Sequence, residues 1–95
     1  MNIAYTSGPW KVINVGPHWN NVNIDNFEIQ YGNDGECIVD HVYEQADANL
    51  IAAAPELYEA LAKCLMVLSG NEMTKSALIN AMESGRLAME KVKGI

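Results

Sequence analysis

Cysteine is scarce in this chain: Cys37 and Cys64 stand alone, 27 positions apart, with no CxxC spacing. That rules out a disulfide framework or a zinc ribbon, and both thiols are expected reduced, in a cytoplasmic protein. Aromatic residues make up 7% of the sequence, too few for a sandwich core and better suited to helices packed on a sheet or on one another. The longest apolar runs, Leu50 to Ala54 and Cys64 to Leu68, are far too short to span a bilayer, and no secretory leader pattern is evident. Basic residues are few as well. Six lysines and arginines face twelve acids, for a formal charge of −6. Residues 1–70 hold nine of the acids against only Lys11 and Lys63, so direct binding of nucleic acid is not expected.

Chemical constellations are missing too. Gly32 and Gly35 do not lead from a strand into a helix, so they form a turn and not a phosphate loop. His18 and His41 have no ligand neighbours at helical or turn spacing, so no metal and no cofactor is expected. His41 with Asp40 or Cys37 could act as a catalytic pair only with a third group, and the adjacent strand residues 40 and 41 point apart. The expectation is a protein that is not an enzyme.

What is present is a single α+β domain over residues 1–95, β in 1–45 and helical in 46–95. Ser7-Gly8-Pro9 ends a lead-in, and Trp10 to Val15 alternates as a first strand. Gly16 to Asn21 is rich in breakers and predicts a loop. From Val22 the apolar phase holds through Ile24, then flips to Phe27, Ile29 and Tyr31, which predicts one bent strand or two short ones with a bulge at Asp25-Asn26. Gly32-Asn33-Asp34-Gly35 is a tight antiparallel turn. The returning strand, Glu36 to Tyr43, places Cys37, Val39, His41 and Tyr43 on one face and Ile38, Asp40 and Val42 on the other. An antiparallel meander of three to four strands follows.

The helical half begins with a short helix over Ala48 to Ala53, with Asp47 as its N-cap, followed by a second helix opened by Pro55 and stopped at Ser69-Gly70. Its Leu57, Leu61, Cys64 and Leu68 fall on one stripe. The last helix, Glu72 to Lys93, begun near Asn71 or Thr74, repeats Leu78, Met82, Gly85, Met89 and Val92 at alternating spacings of four and three, the pattern of a seam against another helix. A C-terminal helical hairpin is predicted, either packed on the sheet or paired with that of a second chain in a homodimer, with Leu78, Met82, Gly85 and Met89 as the oligomer interface. Gly85 would let a neighbouring backbone approach closely, and Met66, Met73, Met82 and Met89 are expected to fill the core or, alternatively, to form an adaptable contact surface.

Partner contacts are expected from the acidic, aromatic-bearing first half: Trp19 in its polar loop, Tyr31, Asp34 and Glu36. Trp19 either stands free or folds back to cap the sheet.

Two strings carry a family likeness. Ser7-Gly8-Pro9-Trp10, and Ala46-Asp47-Ala48-Asn49-Leu50-Ile51-Ala52-Ala53-Ala54-Pro55-Glu56-Leu57, resemble the GPW start and the ANAxLIAAAPELLEAL segment of small phage and prophage accessory proteins. Asp47 stands where that motif usually has asparagine or another small polar residue, and Tyr58 where leucine is common; neither change disturbs the helix phase. The resemblance implies a virus-encoded accessory protein and brings no catalytic residue. It leads to an inhibitor of host defence that binds a host protein or protein complex, such as a CRISPR effector. The alternatives are a sponge for a small nucleotide immune signal, or a phage assembly or regulatory adaptor.

Overall fold

The computed structural model describes residues 4–70 and 74–94. Three strands are followed by three helices: β1 (Trp10–His18), β2 (Asn21–Tyr31), β3 (Glu36–Val42), α1 (Gln45–Ala52), α2 (Ala54–Leu68) and α3 (Lys75–Val92). The chain is therefore α+β. The sheet is an antiparallel meander in the order β1-β2-β3, three strands among the described residues and not four.

β1 outruns its expected end. Gly16 and Pro17, read as loop residues, lie within the strand, because β1 is a sheet edge where proline removes no ladder bond. Gly16 takes φ +102°, and the β1–β2 register shifts between Asn14/Phe27 and Pro17/Asp25, leaving one extra residue on β1. A second shift lies between Pro17/Asp25 and His18/Asn21, where Val22, Asn23 and Ile24 are extra residues on β2. The irregularity expected at Asp25-Asn26 thus falls on either side of the Pro17/Asp25 pair, first on β1 and then on β2, while β2 remains one strand.

β3 also departs from simple alternation. Ile29 pairs with Val39 and Phe27 with Val42, so β3 carries one extra residue there; His41 sits at φ +58° within it. A second shift lies between Ile29/Val39 and Gln30/Cys37. Cross-strand partners share a face, so Val42 turns to the same side as Val39 and the expected grouping of Cys37, Val39 and His41 does not hold.

That inner face meets α1. Phe27, Ile29, Ala48 and Ala52 are buried together, with Trp10, Val12, Ile38, Val39, Val42 and Ile51 packed around them. Small alanines let the helix lie close to the sheet, and Ile29 is the largest side chain fully removed from water. α1 starts three residues earlier than expected, with Glu44 and not Asp47 at its N-cap position; Asp47 lies in the first turn, where its charge still favours the helix N-terminus. Ala53 ends α1 and opens α2, and Pro55 follows in the first turn of α2. Thr74 caps α3, its hydroxyl accepting from the Ala77 N–H at 3.1 Å. Of the two expected starts the structure shows the one near Thr74; Asn71 and Glu72 lie outside the described residues.

α2 and α3 run antiparallel, Glu56 opposite Lys91 and Lys63 opposite Ser84, and they close on Ala60, Val67, Ala81 and Ala88. Neither helix makes its main packing with the sheet: α2 packs chiefly on α3, and α1 is the joint between the helix pair and the strands. The result is a long particle of 54 × 25 × 18 Å. Its Cα radius of gyration is 16.2 Å, against about 12 Å for a compact chain of this length.

Candidate functional site

The most exposed aromatic group lies at the free end of the sheet. β3 ends opposite Phe27, while β1 and β2 continue as a two-stranded ribbon to the His18/Asn21 pair. Trp19 occupies the turn and is 85% exposed, so it does not cap the sheet. Its ring stacks on His18 at 5.6 Å, and His18 meets Tyr43 edge-on at 5.3 Å. His18 Nδ1 accepts from the Asn20 N–H at 3.0 Å, which fixes the ring beneath Trp19. Val15, Val22 and Ile24 are exposed on the same ribbon. A tryptophan held rigidly in water, with apolar neighbours, can enter a pocket on another protein at small entropic cost.

Tyr31, Asp34 and Glu36 do not join it. They stand at the other end of β2, around the 32–35 turn, separated from Asn21 by ten residues of strand, or roughly 33 Å. There the Tyr31 hydroxyl donates to the Glu36 carboxylate, and that bond pushes the Tyr31 phenol above its ordinary value. The two groups are separate surfaces.

The outer face of the sheet holds a cluster the sequence did not signal, because it depends on the β3 register. Cys37 Sγ–H and Gln30 Nε2 both donate to Glu28 Oε1 at 3.0 Å. The thiol, and after it the amide, holds Glu28 below the usual carboxylate range, and the Glu28 carboxylate pushes Cys37 up. The turn of backbone at His41 brings its Nε2 to 3.9 Å from Asp40, closer than alternating strand residues allow but beyond hydrogen-bond reach, and both side chains are exposed.

The helix pair has two unlike sides. On one, Lys63 donates to Ser84 at 2.9 Å and Lys91 to Glu56 at 2.7 Å, beside Glu59 and Asn80. Helical periodicity, counted from the buried Ala60/Val67 and Ala81/Ala88 rows, puts Leu57, Leu61 and Leu68 of α2 with Leu78, Met82, Gly85 and Met89 of α3 on the opposite side. The expected stripes are therefore real but do not form the seam within the chain; alanine and valine form it. Leu61 is 59% exposed, Leu68 79% and Met82 73%, and Met66 and Met89 are also exposed, so these methionines are not core filler. Met73 lies outside the described residues. A Cβ added at Gly85 would meet nothing within 4 Å, so among the described residues no other element brings its backbone close to it.

Among the described residues no three of His, Cys, Asp and Glu gather to hold a metal ion, and no helix is long and apolar enough to cross a membrane. The two strings that carry the family likeness touch: a Cβ at Gly8 would lie 3.1 Å from Pro55 Cβ, and Tyr5 packs edge-on against Trp10 and Tyr58 at 6.4 and 5.5 Å. Comparison with curated proteins and with solved structures returns no match. The family described as Salmonella phage P22 protein Y8K6 matches residues 1–95, and the chain belongs to that phage protein family.

Proposed function

We propose that this phage protein acts by binding and not by catalysis, inside the infected cell, as an inhibitor that engages a host defence protein or complex. The observation that carries the reading is Trp19, presented at the end of a ribbon that no other element covers and stiffened by its stack on His18. The surplus of acid in residues 1–70 favours a basic partner, as nucleic-acid-handling defence complexes are. In this reading Trp19 supplies the anchor, and the exposed carboxylates of the β half supply attraction at a distance.

The test is affinity capture from host extract with the wild-type protein and Trp19→Ala. One macromolecule is expected to co-purify with the wild type and to be lost with the variant, at least tenfold by the usual weight of a tryptophan anchor. Its retention should weaken as salt rises, since exposed charges are screened within about 10 Å at 0.1 M. Capture unaffected by Trp19→Ala overturns the reading. A small nucleotide released on denaturation, with no macromolecule retained, replaces it with the sponge.

A further inference from the structure

We infer that the uncharged side of the α2–α3 pair is covered by a second copy of the same side, so that two chains form a four-helix bundle. This pairing is independent of what Trp19 meets. The chain exposes 6683 Å²; a compact protein of 10.4 kDa exposes about 5,400 Å². The excess, roughly 1,300 Å², exceeds the approximately 800 Å² per partner that a stable interface removes from water.

Six of the exposed large apolar side chains are grouped on this side. Leu61, Leu65, Leu68, Leu78, Met82 and Met89 are each at least 41% exposed, and all lie on or beside one side of two antiparallel helices. Among the described residues the charged side chain at its margin is Arg86, which is bonded to Glu83 and Glu90, and Lys63, Lys91 and Glu56 are engaged on the opposite side. Six large apolar side chains grouped on one side of a helix pair mark a surface that another molecule covers.

The occupant follows from composition and shape. A face made of leucine and methionine stripes at four-three spacing is complementary to a copy of itself, since knobs of one pair enter the gaps of the other. Gly85 provides such a gap, with open space above it in the protomer. A two-fold pairing of this uncharged face sets apolar side chains against apolar side chains and needs no charged pair. A basic or polar partner has nothing to bond to on this face, so the acidic β half is left for that task.

Sedimentation equilibrium or light scattering of the full chain tests this. The wild type is expected at twice 10.4 kDa, and Leu61→Glu and Met82→Glu, each placing a charge where the protomer already tolerates water, are expected at the protomer mass with unchanged far-ultraviolet circular dichroism. Leu87→Glu, on the charged side of the pair beside Lys91 and Glu59, is expected to remain double. A wild type at the protomer mass, or at any multiple other than two, overturns the proposal. So do Leu61→Glu and Met82→Glu proteins that stay paired, or a Leu87→Glu protein that dissociates as they do.

Discussion

The Glu28–Cys37 contact shows how much a single residue's setting depends on register. Strict alternation along β3 would turn Cys37 toward the same side as Val39; the extra residue between the Ile29/Val39 and Gln30/Cys37 pairs turns it instead to Glu28. Nothing in the residue types announces that shift. His41 carries a faint sign of the other one, since histidine is among the residues that tolerate positive φ better than most. The sign of the pH dependence follows from the two displacements. Glu28 is held low, so its contribution is present above its ordinary value of about 4.3 and is lost as pH falls through the depressed folded value. Cys37 is pushed up, so its contribution is present below its ordinary value of about 8.5 and is lost as pH rises through the raised one. The contact therefore supports the fold across the window between the two. Glu28→Gln removes both limbs, and because the thiol then ionises more readily, Cys37 should be alkylated faster near pH 8 than in the wild type. Equal alkylation rates in the two proteins would mean that the carboxylate does not govern the thiol.

Elements were legible where their signals are local. Pro55 opens α2 and Gly70 at φ +83° closes it, and the 32–35 turn links β2 to β3; capping and turn chemistry needs only adjacent residues. The facing of elements was not legible. Periodicity shows that Leu57, Leu61 and Leu68 share a stripe, but cannot say whether the stripe meets α3, the sheet or another molecule. The answer turns on alanine: Ala60, Ala81 and Ala88 bring the helices close with Val67, and that displaces the larger side chains to the flank. The same limit applies to the lead-in, which sequence reading left as a preface to β1. In the structure Trp10 Nε1 donates to the Thr6 carbonyl at 3.0 Å, and Gly8 lies against Pro55, so residues 5–10 fasten the sheet to the start of α2. A Cβ at position 8 would sit 3.1 Å from Pro55 Cβ, tighter than ordinary contact and against a rigid ring. Gly8→Val should accordingly destabilise the protein by about 1–3 kcal/mol, the usual result of overpacking, read as a lower midpoint in urea. A midpoint at or above that of the wild type would show that the lead-in does not bear on α2.

At the scale of the whole molecule, length is the property from which the rest follows. A chain of this size could fold its helix pair back over the outer face of the sheet and cover Ile13 and the Glu28 cluster. It does not: α1 alone occupies the inner face, and α2 and α3 extend away, leaving the Trp19 tip and the leucine–methionine face as separate surfaces. Such an arrangement divides labour, because a mutation on the helix pair can alter assembly without touching the ribbon, and the reverse. Two tips on one paired particle would also raise the apparent affinity for a partner that offers two sites, by effective concentration alone. The geometry of the single protomer can be measured apart from pairing by small-angle scattering of the Met82→Glu protein. Its radius of gyration should fall nearer the 16.2 Å of the extended protomer than the approximately 12 Å of a compact chain. A value near the compact limit would mean that the freed helices collapse onto the sheet, and that the extended form belongs to the pair and not to the fold of one chain.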